Sequence, residues 1–141
     1  MRWMKNMVVL IDTNIVLDAL LQRAPHDKPA LAVLELCAAG KIDGYLAFHS
    51  LSTLWYVLRK NPETRRRWLL ETCEILTVAS ASHDAAVRAI MQEDFPDFED
   101  CLQEKCAEAV DADYIVTRNT SDYATSKIPA ALPENIIEHL K

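Results

Sequence analysis

The stretch "MVVLIDTNIVLDALLQR", residues 7–23, runs five apolar residues into an aspartate and continues as an amphipathic segment. Val8 to Asp12 reads as a strand whose apolar run is unbroken, the pattern of a strand covered on both faces. Leu17, Leu20 and Leu21 fall on one face of a helix that Thr13 or Asn14 is placed to cap. Asp12 therefore stands at the carboxyl end of a buried strand, at the junction with a helix. In isolation it serves equally as an N-cap or as a ligand-facing carboxylate.

The same alternation continues. A helix from about Pro29 carries Leu31, Leu34 and Cys37 at near-helical spacing, and Gly40 is well placed to end it. "GYLAFHS" (44–50) reads as a strand, Ser50 as the cap of a helix with the stripe Leu51, Leu54, Trp55 and Leu58, and Asn61-Pro62 as the start of another. "EILTVA" (74–79) is a third strand, and "SHDAAVRAIM" a helix opened by Ser82. "DFPDFEDCLQEKCAEAV" (94–110) is a helix with Leu102, Cys106, Ala109 and Val110 on one face. "DYIVT" (113–117) is a fourth strand, and "LPENIIEHL" (132–140) an edge strand or terminal helix. Strands alternating with helices predict an α/β fold, one domain over residues 1–141, with a mostly parallel sheet of four or five strands covered on both faces.

With 141 residues, half of them hydrophobic, and a net charge of -6, the composition is that of an ordinary globular domain. The apolar run from Met7 to Ile11 is far below the roughly 20 residues of a membrane span, so a cytoplasmic protein without membrane contact is expected. Cys37, Cys73, Cys101 and Cys106 have no metal-site spacing and read as buried free thiols. The acidic balance argues against a broad nucleic-acid footprint but leaves room for a local one, because carboxylates attract phosphate once divalent cations occupy them.

In parallel sheets, ligands bind beyond the carboxyl ends of the strands. Asp12 shares that address with "TRNTSD" (117–122), which follows the fourth strand. Asp97, Asp100 and Glu104 would lie along one helical face, although Asp97 as N-cap with Asp100 as its capping-box partner accounts for two of them without a ligand. Asn-Thr-Ser-Asp is likewise ordinary turn chemistry. If Asp12, Asp97, Asp100 and Asp122 converge, carboxylates without His or Cys suit Mg2+ or Mn2+ rather than zinc, and such ions usually act on phosphate. Asn14 and Thr117, with Asn119 beside them, are candidates for orienting a carboxylate or a water.

Strand-"DTNIVLDALL", "DFEDCLQEKCAEAVDADYIVTRN" and "SDY", in that order and spacing from Val8 to about Ile128, resemble the PIN domain family, in particular its bacterial toxin-like (VapC-type) ribonucleases. The resemblance implies a three-layer α/β/α fold and an Mg2+- or Mn2+-dependent endoribonuclease, commonly the toxin of a type II toxin-antitoxin pair. It places the catalytic acids at Asp12, Asp100 and Asp122, with Asp97 as an additional metal contributor. The chain departs from the family at Thr53, where many members carry a glutamate, and at Asn119, where many carry an acid.

Arg118 is the candidate phosphate contact. The "RRR" run at 65–67 reads as a solvated face, and Trp68 as core. The expected partners are an RNA substrate, an antitoxin covering the acidic cleft and a second copy in a homodimer. Two alternatives remain: a catalytically weakened PIN-like domain that binds RNA or protein, motivated by Thr53 and Asn119, and an aspartyl phosphatase. The latter is disfavoured because Asn14 stands where its second aspartate belongs.

Overall fold

The computed structural model describes residues 5–141. Five parallel strands, β1 (Val8–Ile11), β2 (Asp43–Ala47), β3 (Thr77–Ala79), β4 (Tyr114–Val116) and β5 (Ala130–Ala131), form one sheet in the order β3-β2-β1-β4-β5. Central β1 has Val9, Leu10 and Ile11 all at 0% exposure. Alternating side chains send Val9 and Ile11 to one face and Leu10 to the other. Each fully buried aliphatic side chain contributes about 1.5–3 kcal/mol, so this short run anchors both layers.

On the face of Val9 and Ile11 pack α1 (Thr13–Leu20), α2 (Asp27–Ala38), α3 (Ser50–Val57), α4 (Arg65–Ile75) and α7 (Pro133–His139). On the face of Leu10 lie α5 (His83–Met91) and α6 (Phe98–Ala109). The α/β sandwich expected from the alternating pattern is the one observed. Gly40 adopts φ 72°, and the Lys41 amide donates to Leu36 O, closing α2 as predicted. Gly44 on β2 serves another need, since a Cβ there would lie 2.5 Å from Cys37 Sγ and 2.6 Å from Leu76 Cδ2. Ser82 caps α5 by accepting from the Ala85 amide.

Several local expectations are corrected. Ser50 does not cap α3; it is fully buried, and its hydroxyl joins Thr13 and Gln103. α4 starts at Arg65 rather than at Pro62, which lies in a turn, and Glu74 and Ile75 end that helix instead of opening β3. On α6 the buried positions are Cys101, Gln103, Glu104, Lys105, Cys106 and Ala107, while Ala109 is exposed. The predicted stripe fails because α6 is enclosed on more than one side, and its charged residues are buried as a pair. Glu104 and Lys105, 1% and 3% exposed at their side chains, meet at 3.0 Å. Cys73 is exposed, whereas Cys37, Cys101 and Cys106 are buried free thiols. No described helix is long and apolar enough to cross a membrane.

Candidate active site

Asp12 ends β1 and occupies the cap position of α1, but its side chain makes no cap hydrogen bond. Instead Oδ2 accepts from Thr117 Oγ1 at 2.8 Å, and Thr117 Oγ1 in turn accepts from the Asn119 amide at 3.1 Å. Thr117 thus locks the carboxylate to the end of β4, the strand beside β1. Asp12 is 7% exposed, and burial pushes its pKa up. The Thr117 hydroxyl and the Thr13 and Asn14 amides pull it back, and the charge of Glu99 pushes it up again.

Asp100 lies in the first turn of α6 and accepts from the Tyr123 hydroxyl at 3.2 Å. Burial raises its pKa from the ordinary 3.8 to about 7, aided by the charges of Asp97, Asp12 and Asp122. Asp12 at the end of β1, Asp97 and Asp100 at the start of α6, and Asp122 on the turn after β4 come from three segments at the carboxyl end of the sheet. Asp97 caps α6, its Oδ1 accepting from the Asp100 amide at 3.1 Å, so the capping role is realised while its charge still bears on Asp100. Asp122 is exposed on the 3-10 turn Thr120–Tyr123 that follows β4. Asn14 is half-buried on the first turn of α1.

Arg118 is placed differently from the expectation. Its Nε and Nη2 donate to the two carboxylate oxygens of Asp18 at 2.8 and 3.2 Å, and Asp18, at 0% exposure, also holds Arg23. The guanidinium is therefore engaged in tying the β4 loop to α1 rather than held free for phosphate.

Three contributors were not singled out from sequence. In the sequence Tyr123 stands out only as the last residue of "SDY". Its phenol is 3% exposed and sits edge-on to Phe95, and burial with the charges of Asp12, Asp100 and Asp122 drives its pKa far up. It stays protonated and donates. Glu99 meets Thr53 across the α3–α6 seam, Oγ1 to Oε1 at 3.1 Å. His49 sits near Asp12 and Glu99; burial lowers its pKa against their pull, and its Nε2 is buried without a partner. A tyrosine directly after the last acid was the one signal in the sequence for this set.

The donors suit a hard cation. All four predicted ligands are carboxylates, and their mutual repulsion at Asp100 is what a divalent charge relieves. Among the described residues no three acids, histidines or thiols are gathered tightly enough to cage a metal by themselves. One measurable result follows. The folded pKa of Asp100 lies above its unfolded value, so the folded state holds the extra proton. In chelator, stability is expected to fall as pH rises from about 4 to about 7, and Asp100→Asn to flatten that slope in urea titrations.

A family model described as PIN domain matches residues 8–121. The chain belongs to the PIN domain family. Solved structures place this PIN domain beside the VapBC2 complex of Rickettsia felis bound to a promoter DNA fragment, at 18% identity and TM-score 0.66, covering 89% of this chain and 98% of the other. A toxin-antitoxin complex from Klebsiella pneumoniae matches at 25% identity and TM-score 0.66, covering 89% and 97%. VapC20 of Mycobacterium tuberculosis, a toxin that cleaves the sarcin-ricin loop, matches at 14% identity and TM-score 0.56, covering 76% and 86%. A search of curated protein sequences found no significant match.

Proposed function

We propose that this PIN domain is a cytoplasmic, Mg2+- or Mn2+-dependent endoribonuclease, the toxin of a toxin-antitoxin pair. The observation that carries the reading is the placement of Asp12 at the end of β1, held by Thr117 from the end of β4, beside Asp100 at the start of α6, held by Tyr123 from the turn that carries Asp122. Asp12, Asp100 and Asp122 are assigned as the catalytic acids that hold the cation, with Asp97 assisting by charge. The cation would neutralise phosphate oxygens and lower the pKa of the attacking water.

The protein's own part is positioning. Thr117 holds the Oδ2 oxygen of Asp12 against the end of β4. Tyr123 fixes Asp100 without neutralising it, and the Asn119 amide fixes Thr117. Asn14, beside Asp12, is assigned to orienting the water. Arg118, committed to Asp18, is left out of the RNA contacts.

The relatives from Rickettsia felis and Klebsiella pneumoniae are toxin-antitoxin complexes, which supports an antitoxin partner for this chain. A homodimer is the assembly proposed on symmetry grounds. Incubation of purified protein with a mixed RNA pool tests the activity: cutting is expected with Mg2+ or Mn2+ and none in chelator. Equal cutting in chelator would refute the reading. The neutral Thr53 and Asn119 favour a second reading, a PIN-like binding module, for which RNA would be retained but not cut under every metal condition.

A further inference from the structure

Arg118 is spent on Asp18, so cations free to meet a polyanion are found elsewhere. Of the chain's 15 basic side chains, Arg59, Lys60, Arg65, Arg66 and Arg67 fall between positions 59 and 67, against the single acid Glu63, in a chain of net charge -6. They occupy the turn after α3 and the first turn of α4. Only Arg67 meets a carboxylate, that of Glu71 at 3.7 Å; among the described residues Arg59, Lys60, Arg65 and Arg66 have no acidic partner. The charge of this patch is left for something outside the fold.

These side chains are more than a solvated face. Arg65 is half-buried; its Nη1 donates to Trp55 O at 3.2 Å, and its guanidinium carbon lies 3.5 Å from the centre of the Trp55 ring. Arg66 approaches the same ring at 4.8 Å. Arg59 repeats the arrangement on α3, with Nη1 donating to Tyr56 O at 2.9 Å and the guanidinium carbon 4.0 Å from the centre of the Tyr56 ring. An aromatic face attracts a cation without neutralising it, so the guanidinium groups are held in place and keep their charge. Tyr56 remains 63% exposed, and Trp55 lines an open groove between α3 and α4 with Leu51, Leu69 and Leu70.

The patch starts close to the candidate active site. Ser50 opens α3 and accepts from the hydroxyl of Thr13, the residue after Asp12. Tyr56, on the same helix, lies about 9 Å further along its axis. Cations pinned beside aromatic rings, at two neighbouring places, match a ligand that offers a phosphate and a flat base at every repeat. A single-stranded polynucleotide does so. An acidic peptide matches the charge but not the pairing of charge with ring.

We propose that the turn between α3 and α4 is a docking surface for single-stranded RNA, with Arg59, Lys60 and Arg66 on phosphates and Tyr56 under a base, and that it carries the strand away from the cleft at Asp12. The inference rests on the reading of this PIN domain as acting on RNA and extends it to a surface apart from the acids.

Fluorescence anisotropy of the intact protein with a labelled oligouridylate of about 12 nucleotides, in chelator so that binding is read without cutting, tests it. The triple variant Arg59→Ala, Lys60→Ala, Arg66→Ala is expected to bind at least about tenfold more weakly, with a log-log salt dependence shallower by about 2, three phosphates at roughly 0.7 each. Tyr56→Ala is expected to weaken binding at least about fivefold with the salt dependence unchanged. A control triple at the exposed Lys28, Lys41 and Lys141, each to Ala, changes the net charge equally and is expected to bind as the wild type does. Thermal melts check folding, and Lys60→Glu, which alters neither stacked arginine, is expected to weaken binding with an unchanged melt. Equal affinities in the patch triple and the control triple would overturn the proposal. Polyglutamate competing as well as unlabelled oligouridylate, with Tyr56→Ala unchanged, would overturn RNA as the occupant in favour of an acidic protein segment. Metal-dependent cutting by the wild type is read separately: cutting that survives either result leaves the nuclease reading standing, and RNA held through this patch by a chain that never cuts refutes that reading while supporting the docking surface.

Discussion

Asp12→Asn is expected to lower RNA cleavage by at least about a thousandfold, equivalent to about 4 kcal/mol of transition-state stabilisation, while leaving the protein folded. The substitution preserves shape. The amide oxygen still accepts from Thr117, so β1 and β4 keep their lock. What disappears is the charge, at the position where three segments bring acids together. Burial already disfavours that charge in the free protein, so Asp12→Asn removes a cost of folding and the melting temperature is expected to hold or rise at neutral pH. Cleavage assays on a mixed RNA pool, paired with thermal melts, check both halves. Retained activity would remove Asp12 from the catalytic set. Lost activity with a lowered melting temperature would recast it as a structural residue.

Glu104→Ala is expected to destabilise the protein by about 3 kcal/mol, measured as a lowered urea midpoint. Glu104 Oε1 holds Lys105 Nζ at 3.0 Å, and Oε2 accepts from the Lys127 amide at 2.8 Å, joining α6 to the loop before β5. Removing the carboxylate takes the closest anionic partner from the buried Lys105 ammonium and leaves the Lys127 amide without its acceptor. Burial favours the neutral amine of Lys105, but the hydrogen bond and charge of Glu104, with Glu108 behind it, outweigh burial and keep the pKa raised. Because Gln92 and Glu108 still reach Lys105 in the variant, the low end of the range for a broken buried pair applies. Replacing the pair by Leu and Met together is expected to recover most of the loss, since an apolar pair leaves no uncompensated charge. A double variant as unstable as Glu104→Ala would contradict this account.

These two acids show where sequence reading succeeds and where it stops. Asp12 was legible because an apolar run ending in an acid is a local pattern with one structural outcome in a parallel sheet. Ser82 and Gly40 were legible for the same reason, each satisfying its own helix end. Glu104 was not. An acid beside a lysine reads as solvent-facing, and only the enclosure of α6 by β1, β2, β4 and α5 reveals it as buried. Ser50 failed similarly: a serine before an apolar helix looks like a cap, and its burial under Gln103 depends on a residue 53 positions away. Arg118 reads as a phosphate contact from its place after the fourth strand, but its partner Asp18 lies 100 positions away on α1, beyond any spacing rule. Tyr123 and Glu99 act through contacts of the same long-range kind.

During synthesis β1, β2 and β3 are complete in the chain before β4, the direct partner of central β1, has been made. At that stage Asp12 has no Thr117 to hold it, and Asp100 has no Tyr123. Every truncated product ending before residue 117 therefore lacks a finished centre, because the side chains that hold Asp12 and Asp100 are both made after the acids they hold.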